Sequence, residues 1–236
     1  KGKISMNNFL IETSCFGIVL SLLTYWLAVQ IRKRWSYSLL NPLLISAFLT
    51  IFVLYVLDID FQTYNQGAQM ITYLLTPSTV CLAIPLYKQT QVLVKHFGAI
   101  IVSLLCGCLS GLMSVMVLCI LLKTSETVLY SLMPKSITTA IAIGVSELLG
   151  GHSTMTVGVV ILTGIFGSMI AKTIFKVFHI NHPVARGLAL GNSAHAIGTA
   201  KAIEWGEIEA AMSSLSIVIS GIFTVFLAPI MIRLWI

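Results

Sequence analysis

Charged residues are scarce in this sequence. Its 236 residues include 14 Lys or Arg and 8 Asp or Glu, which is 9% charged. Ordinary soluble domains have about 25% charged residues. In contrast, 57% of the residues are hydrophobic and the mean hydropathy is +0.97. This composition excludes an ordinary soluble enzyme, a disordered chain and a secreted disulfide scaffold, and it indicates an integral membrane protein.

The sequence also lacks the motifs of common catalytic and metal sites. Its five cysteines form no C-x-x-C pair and lie in apolar stretches, where they are expected to pack as small apolar residues. There is no Walker-type phosphate loop, and Ser193 has no nucleophile elbow around it. His179 and His182 have no neighbouring Cys or carboxylate to complete a metal site. We therefore expect no enzymatic activity, no cofactor and no bound metal.

The net charge of +6 reflects basic residues that lie between apolar runs. The positive-inside rule accounts for such residues, so we expect a lipid bilayer and not nucleic acid as their partner. The basic residues 32–34 indicate that the first apolar stretch ends on the cytoplasmic side. Lys172, Lys176 and Arg186 indicate a second cytoplasmic end later in the chain. Both assignments hold if segment 128–150 is re-entrant, entering and leaving the membrane on one face.

The apolar runs define the expected fold class. At about 20 residues per span, they provide about seven or eight membrane segments. We predict an all-α integral membrane protein with several discontinuous or re-entrant segments, forming a single transmembrane domain over residues 1–236. We expect a multi-pass protein of the cell membrane, the bacterial inner membrane in particular. The chain begins with Lys1, which is consistent with residues 1–5 being a fusion remnant and Met6 the native start.

Three of the membrane segments are predicted to be interrupted. They cover about 68–87, 128–150 and 187–206, and their predicted break points are Pro77, Pro134, Gly191 and Gly198. Proline removes an amide donor and clashes with the preceding helical turn. In a membrane, broken backbone is stable only where protein buries it or where it lines a cavity. Transporters commonly bind substrate where such broken helices meet.

The interrupted segments also suggest an internal repeat of 57 residues. Pro77 and Pro134 have this separation (134 − 77), and a further step relates Pro134 to Gly191 and Glu147 to Glu204. Each unit would contain one interrupted segment and one intact span. The alternative is a chance match, because identity between the units is low and apolar sequences match easily.

Polar residues in the interrupted segments are the candidate substrate-binding groups. Lys135 directly follows a proline, and an intramembrane cation is costly enough to imply a function. A helix restarting there would add free amides and a positive dipole end, which suit a carboxylate. The alternative is that Lys135 extends to the membrane surface. The complete candidate set is Thr76, Ser78, Thr79, Lys135, Ser136, Thr138, Thr139, Asn192, Ser193, His195, Thr199 and Lys201.

Three residues are candidates for proton coupling or for an ion pair. His195 has a side chain that titrates near neutral pH, so it could carry a proton, although a packing histidine is the alternative. Lys201 and Glu204 are three positions apart and share a helix face. They could neutralise each other as a structural ion pair.

Several stretches of the sequence resemble the LrgB family, which includes CidB. They are 40–44 (LNPLL), 85–88 (PLYK), 134–139 (PKSITT) and 185–201 (ARGLALGNSAHAIGTAK), and the similarity extends from about residue 8 to the end. Many relatives have a proline after the paired threonines, where this sequence has Ala140. This difference concerns only how sharply the segment bends.

The resemblance implies two functions. One is an antiholin-like protein that acts with a small LrgA/CidA-like partner to control murein hydrolase export and autolysis. The other is transport, as in the related plastidial glycolate/glycerate transporter and in the pyruvate uptake linked to bacterial members. The buried cation and the repeated helix breaks favour an alternating-access carrier of a small carboxylate anion. We expect this carrier to act with the small LrgA/CidA-like partner and to form an oligomer. Regulation of lysis is the alternative.

Overall fold

The computed structural model describes residues 15–34, 42–74, 77, 80–81 and 83–235. These residues are helical with short connections, and none of them forms a strand. The chain divides into two compact units, residues 1–81 and 82–236. Pro77 has a helical backbone, while the candidate residues Thr76, Ser78 and Thr79 lie outside the described residues.

The first unit contains three described helices, α1 (Phe16–Arg34), α2 (Pro42–Val56) and α3 (Phe61–Tyr73). Helix α1 packs against both of the others. Its Ser21 hydroxyl lies 2.8 Å from the Tyr64 hydroxyl of α3, and its Thr24 hydroxyl lies 3.0 Å from that of Thr50 on α2. Hydroxyl pairs of this kind hold helices together where the surroundings are apolar.

The second unit contains seven described helices. They are α4 (Ala83–Lys88), α5 (Thr90–Leu121), α6 (Glu126–Leu132), α7 (Thr139–Leu149), α8 (Ser153–Val177), α9 (Pro183–Ile203) and α10 (Glu207–Trp235). Three of them include stretches long and apolar enough to cross a membrane: Val94–Leu121, Ser153–Val177 and Glu207–Leu234. Only 33–39% of the most apolar part of each stretch is buried within the structure, so most of that surface faces outward. The chain is thus an all-helical membrane protein, and the larger number of segments stays a prediction.

Helices α6 and α7 are separated by turns over residues 133–138, around the fully buried Pro134. Helix α7 ends at Gly150, whose φ of 90° is readily adopted only by glycine. The chain then reverses into α8, which packs along α7: Ser146 contacts Thr156, and Ala142 lies in the same core as Val160. Because the two helices run in opposite directions, the first turn of α7 lies beside the middle of α8.

A buried hydroxyl cluster holds this reversal together. Thr156 Oγ1 lies 2.7 Å from Ser146 Oγ and 3.1 Å from the carbonyl oxygen of Ser131. The Ser131 hydroxyl in turn accepts a hydrogen bond of 2.7 Å from the His152 amide. The three hydroxyl residues are completely buried. Together they tie the ends of α6 and α7 to the start of α8.

We expect Thr156→Val to destabilise the protein by about 1–3 kcal/mol, because it leaves a buried hydroxyl and a carbonyl without their partner. Thr154→Val is the matched control, since Thr154 is exposed on the same helix. The thermal unfolding midpoint in detergent measures the difference. Equal midpoints for the two variants would show that the cluster contributes nothing.

Helix α9 is broken at His195, which has φ 40° and ψ −130°. Its first arm (183–194) and second arm (196–203) fold against each other, with Gly198 directly beside the carbonyl oxygen of Leu190. After the second arm, the Trp205 ring contacts Phe175 near the end of α8, with the ring centroids 5.7 Å apart. The chain therefore returns to the end of α8 from which α9 started.

The position of this break corrects the sequence-based prediction. Gly191 and Gly198 were expected to interrupt the helix, but both have helical backbone and the break lies between them. Both glycines instead permit close packing. A β-carbon on Gly191 would overlap the Ser213 carbonyl of α10, and one on Gly198 would overlap Leu190. The glycines are thus explained by contacts with distant residues, which the local sequence does not reveal.

The first arm of α9 packs in parallel along the first half of α10. Gly187 approaches the backbone of Glu209, Gly191 approaches Ser213, and Asn192 bonds to Ser220. Small residues on both helices allow this approach. His195, at the end of the arm, is consequently carried to the middle of the unit.

Candidate functional site

The two helix breaks lie beside the same turns in the middle of α8. His195 Nε2 donates a hydrogen bond of 3.0 Å to the carbonyl oxygen of Val160, and its ring lies against Gly164. The Val160 side chain belongs to the core that contains Met133 and Ile137, on either side of the α6–α7 break. The two breaks therefore approach the same turns of α8, one from each end of that helix.

Helix α10 also contacts both breaks near its middle. A β-carbon on Gly221 would lie 3.0 Å from Ile141 Cδ1, in the first turn of α7. The preceding residue, Ser220, donates a hydrogen bond of 2.7 Å to Asn192 Oδ1 in α9. Neighbouring residues of one span thus contact both broken elements.

The Asn192 amide has a defined orientation. Its Oδ1 accepts from Ser220 and, at 3.3 Å, from the Cys108 thiol of α5. With the oxygen accepting from these two groups, the Nδ2 donor faces the other way. Nδ2 lies against Gly107, where a β-carbon would overlap it, and no acceptor among the described residues bonds to it. Asn192 therefore offers a positioned hydrogen-bond donor.

Buried hydroxyls stabilise the reversal at His195. Thr199 Oγ1 donates to the His195 carbonyl at 3.1 Å, so the Ser213 hydroxyl is left to donate to Thr199 at 2.7 Å. The Ser216 hydroxyl donates to the Leu188 carbonyl at 3.0 Å. Broken helical backbone needs such partners where no water reaches it. Thr199 and Ser213 are therefore structural supports of the break.

Lys135 lies in the other break, between α6 and α7. Its Nζ is 3.3 Å from the Ser136 hydroxyl, and the side chain is half-buried. Within the described part of the chain, no carboxylate lies within ion-pair distance of it. Thr138 is the N-cap of α7, but its side chain makes no capping hydrogen bond. Thr139 follows as the first helical residue, so the amides of this first turn are not capped by the Thr138 side chain.

The electrostatics of this central region favour a negative charge. Helix α7 and the second arm of α9 both start here, so two positive helix-dipole ends face the same region. Lys135 adds a full positive charge. The acidic side chains of the second unit that make polar contacts do so elsewhere: Glu126 with Tyr130, Glu147 with Ser153 and Glu204 with Lys201.

Three predicted residues lie away from this central region. Ser193 is exposed, and its hydroxyl bonds to the Ala189 carbonyl of its own helix at 2.7 Å. Lys201 forms an ion pair with Glu204, in which both side chains are partly exposed. The ion pair satisfies the charge of Lys201, and the Ser193 hydroxyl is satisfied within its own helix, so these three residues lie outside the candidate site.

Three polar residues on the intact spans were not among the residues predicted from the sequence. Cys108, Ser213 and Ser220 each bond to a residue of α9. A signal for two of them exists in the sequence: Ser213, Ser216 and Ser220 recur every three to four positions on one face of α10. Nothing in the sequence distinguishes Cys108 from the other cysteines in apolar stretches.

A known protein family matches most of the chain. The sequence model of a family described as the LrgB-like family matches residues 21–234. The matched residues include both helix breaks and all the spans that surround them. No solved structure matches the chain.

Proposed function

Because the chain belongs to the LrgB-like family, we propose that it is a membrane carrier of small monocarboxylates such as pyruvate, glycolate or glycerate. The main support is that two helix breaks lie beside the same turns of α8, with Lys135 in one of them and no described carboxylate to neutralise it. Regulation of lysis by a pore or scaffold does not require this arrangement. We propose a carrier and not an enzyme, in the bacterial inner membrane.

We propose that α6–α7 and α9 are re-entrant hairpins that enter the membrane from opposite faces. A re-entrant hairpin enters and leaves the membrane on one face, and the single span that follows it takes the chain to the opposite face. The next hairpin and span therefore have the inverted orientation. Glu126 and Pro183 begin helices 57 positions apart (183 − 126), and Thr139 and Ala196 have the same separation (196 − 139). This regularity supports an inverted internal repeat, an arrangement in which transporters bind substrate at the repeat interface.

The substrate class follows from the groups that surround the centre. A carboxylate would be held by Lys135, by Ser136 and by the free amides at Thr139. The Asn192 Nδ2 donor is available for a second oxygen, such as the keto or hydroxyl oxygen next to the carboxylate. A single cation suits a monoanion, because a second carboxylate would have no cation to neutralise it.

The proposed mechanism is alternating access, with the two hairpins moving as a unit against the rest of the protein. His195 is the proposed proton carrier. A carbonyl can only accept, so Nε2 bears the hydrogen of the neutral ring and Nδ1 is the site that takes up a proton. We also propose an oligomer that acts with a small LrgA/CidA-like membrane protein, in line with the family.

Uptake of labelled pyruvate and glycolate into proteoliposomes tests the proposal, with and without the small partner protein. A carrier gives uptake that saturates with concentration and discriminates between anions, while an enclosed dye is retained. Dye leakage together with uptake that does not saturate would reject the carrier and favour the lysis-related function.

A further inference from the structure

A groove in the second unit leads toward the centre from the end where α9 begins. It has a volume of about 480 Å³ and lies between α5 and the first arm of α9. His96 and His182 line its outer end, Ser103 lies along it, and Gly107 and Asn192 line its inner end. The groove therefore connects one end of the unit with the free amide donor of Asn192.

A glycine on α5 lets Asn192 pack closely against the inner end of the groove. A side chain at Gly107 would collide with Asn192 Nδ2. With glycine there, the amide reaches the wall of the groove, while its oxygen is held on the far side by Ser220 and Cys108. The groove thus ends at a hydrogen-bond donor, which suits an anionic or carbonyl oxygen.

The outer end of the groove is lined by two histidines, and Arg186 follows the lining residue Ala185 without lining the groove itself. The His96 and His182 rings approach edge to face, with centroids 6.1 Å apart. Arg186, one turn into α9, is held by the Ile180 carbonyl at 2.8 Å and by Asn181 Oδ1 at 3.0 Å. No acidic residue is among the described residues that line the groove. A mouth of this kind attracts small anions.

We propose that this groove is the route by which a small monocarboxylate passes between the basic end of the unit and Asn192. This route rests on the proposed function. It adds that this conformation is open toward the end of the second unit where α9 begins. The walls are apolar and the two ends are polar, which matches a small organic anion with a short carbon chain. A lipid acyl chain is the competing occupant.

Labelling of Ser103→Cys with a membrane-impermeant, negatively charged thiol reagent tests the route in proteoliposomes. Ser103 is on the groove wall, and cysteine is close to serine in size. Val102→Cys is the matched control, because Val102 is exposed on the same helix and does not line the groove. Mass spectrometry with peptide fragmentation distinguishes the new cysteine from the exposed native Cys15, Cys81 and Cys106.

We expect Ser103→Cys to react at least about tenfold faster than Val102→Cys, and pyruvate or glycolate to slow its reaction, because an aqueous route admits the reagent and the substrate competes for it. Equal rates, or a rate that neither anion changes, would overturn the route and favour an acyl chain in the groove. Uptake by the unmodified protein is measured separately. Saturable uptake without labelling would reject the route alone, whereas absence of saturable uptake would reject the proposed function.

Discussion

Replacing Lys135 with Gln is expected to weaken substrate binding by about 10- to 100-fold, since a hydrogen bond to a charged group contributes about 1.5–3 kcal/mol. The loss should appear as a higher substrate concentration for half-maximal uptake, or as no measurable uptake. The physical reason is that Lys135 has no described carboxylate partner, so its charge is available to the anion. Uptake by Lys135→Gln equal to that of the unmodified protein would remove the proposed anion site.

The stability of the same variant separates binding from folding. Removing one member of an ion pair usually destabilises a protein, but removing a half-buried cation without a partner should leave the stability unchanged or raise it. We therefore expect the thermal midpoint of Lys135→Gln in detergent to be at least that of the unmodified protein. Lys172→Gln is the matched control, because Lys172 is an exposed lysine near the end of α8, and its uptake should be unchanged.

Gly164→Ala is expected to displace His195 and to lower both stability and uptake. The added β-carbon would lie 2.7 Å from His195 Cε1 and 2.9 Å from Nε2, so the ring must move and its bond to Val160 must weaken. Overpacking of this kind costs about 1–3 kcal/mol. A comparable rise in the barrier to transport would slow uptake by about 5- to 150-fold.

Gly158→Ala is the control for this substitution. Gly158 is on the same helix, and a β-carbon there meets no atom within 4 Å. Replacing a helical glycine with alanine then stabilises by about 0.5–1 kcal/mol through the backbone alone. The two variants should therefore change the thermal midpoint in opposite directions. Similar midpoints would contradict the close packing of His195 on α8.

A double substitution tests whether the effect acts through the His195 ring. In Gly164→Ala combined with His195→Ala, the ring is absent and only the flexible end of Ile197, at 2.9 Å, still meets the added methyl group, which should therefore destabilise less. The non-additivity of the two substitutions measures their coupling, which for residues in contact is about 0.5–3 kcal/mol. Additive effects would show that Gly164 and His195 are independent.

The sequence by itself determined the helical membrane class and two local features. Low charge and long apolar runs leave few alternatives to membrane-spanning helices, because lipid offers the backbone no hydrogen bonds. Pro134 interrupts its helix because a proline lacks the amide and clashes with the preceding turn wherever it lies in the chain. Lys201 and Glu204 are neighbours on one helical turn, so their ion pair needs no distant residue.

Only the tertiary structure decided where α9 breaks and what meets there. Gly191 and Gly198 looked like break points, yet their small size serves contacts with Ser213 and Leu190. The break at His195 is supported by partners far away in the chain, including Val160 and Ser213. A single residue with positive φ has no local sequence signal when its stability comes from such contacts. The orientation of Asn192, and hence its free donor, likewise depends on helices that the local sequence does not specify.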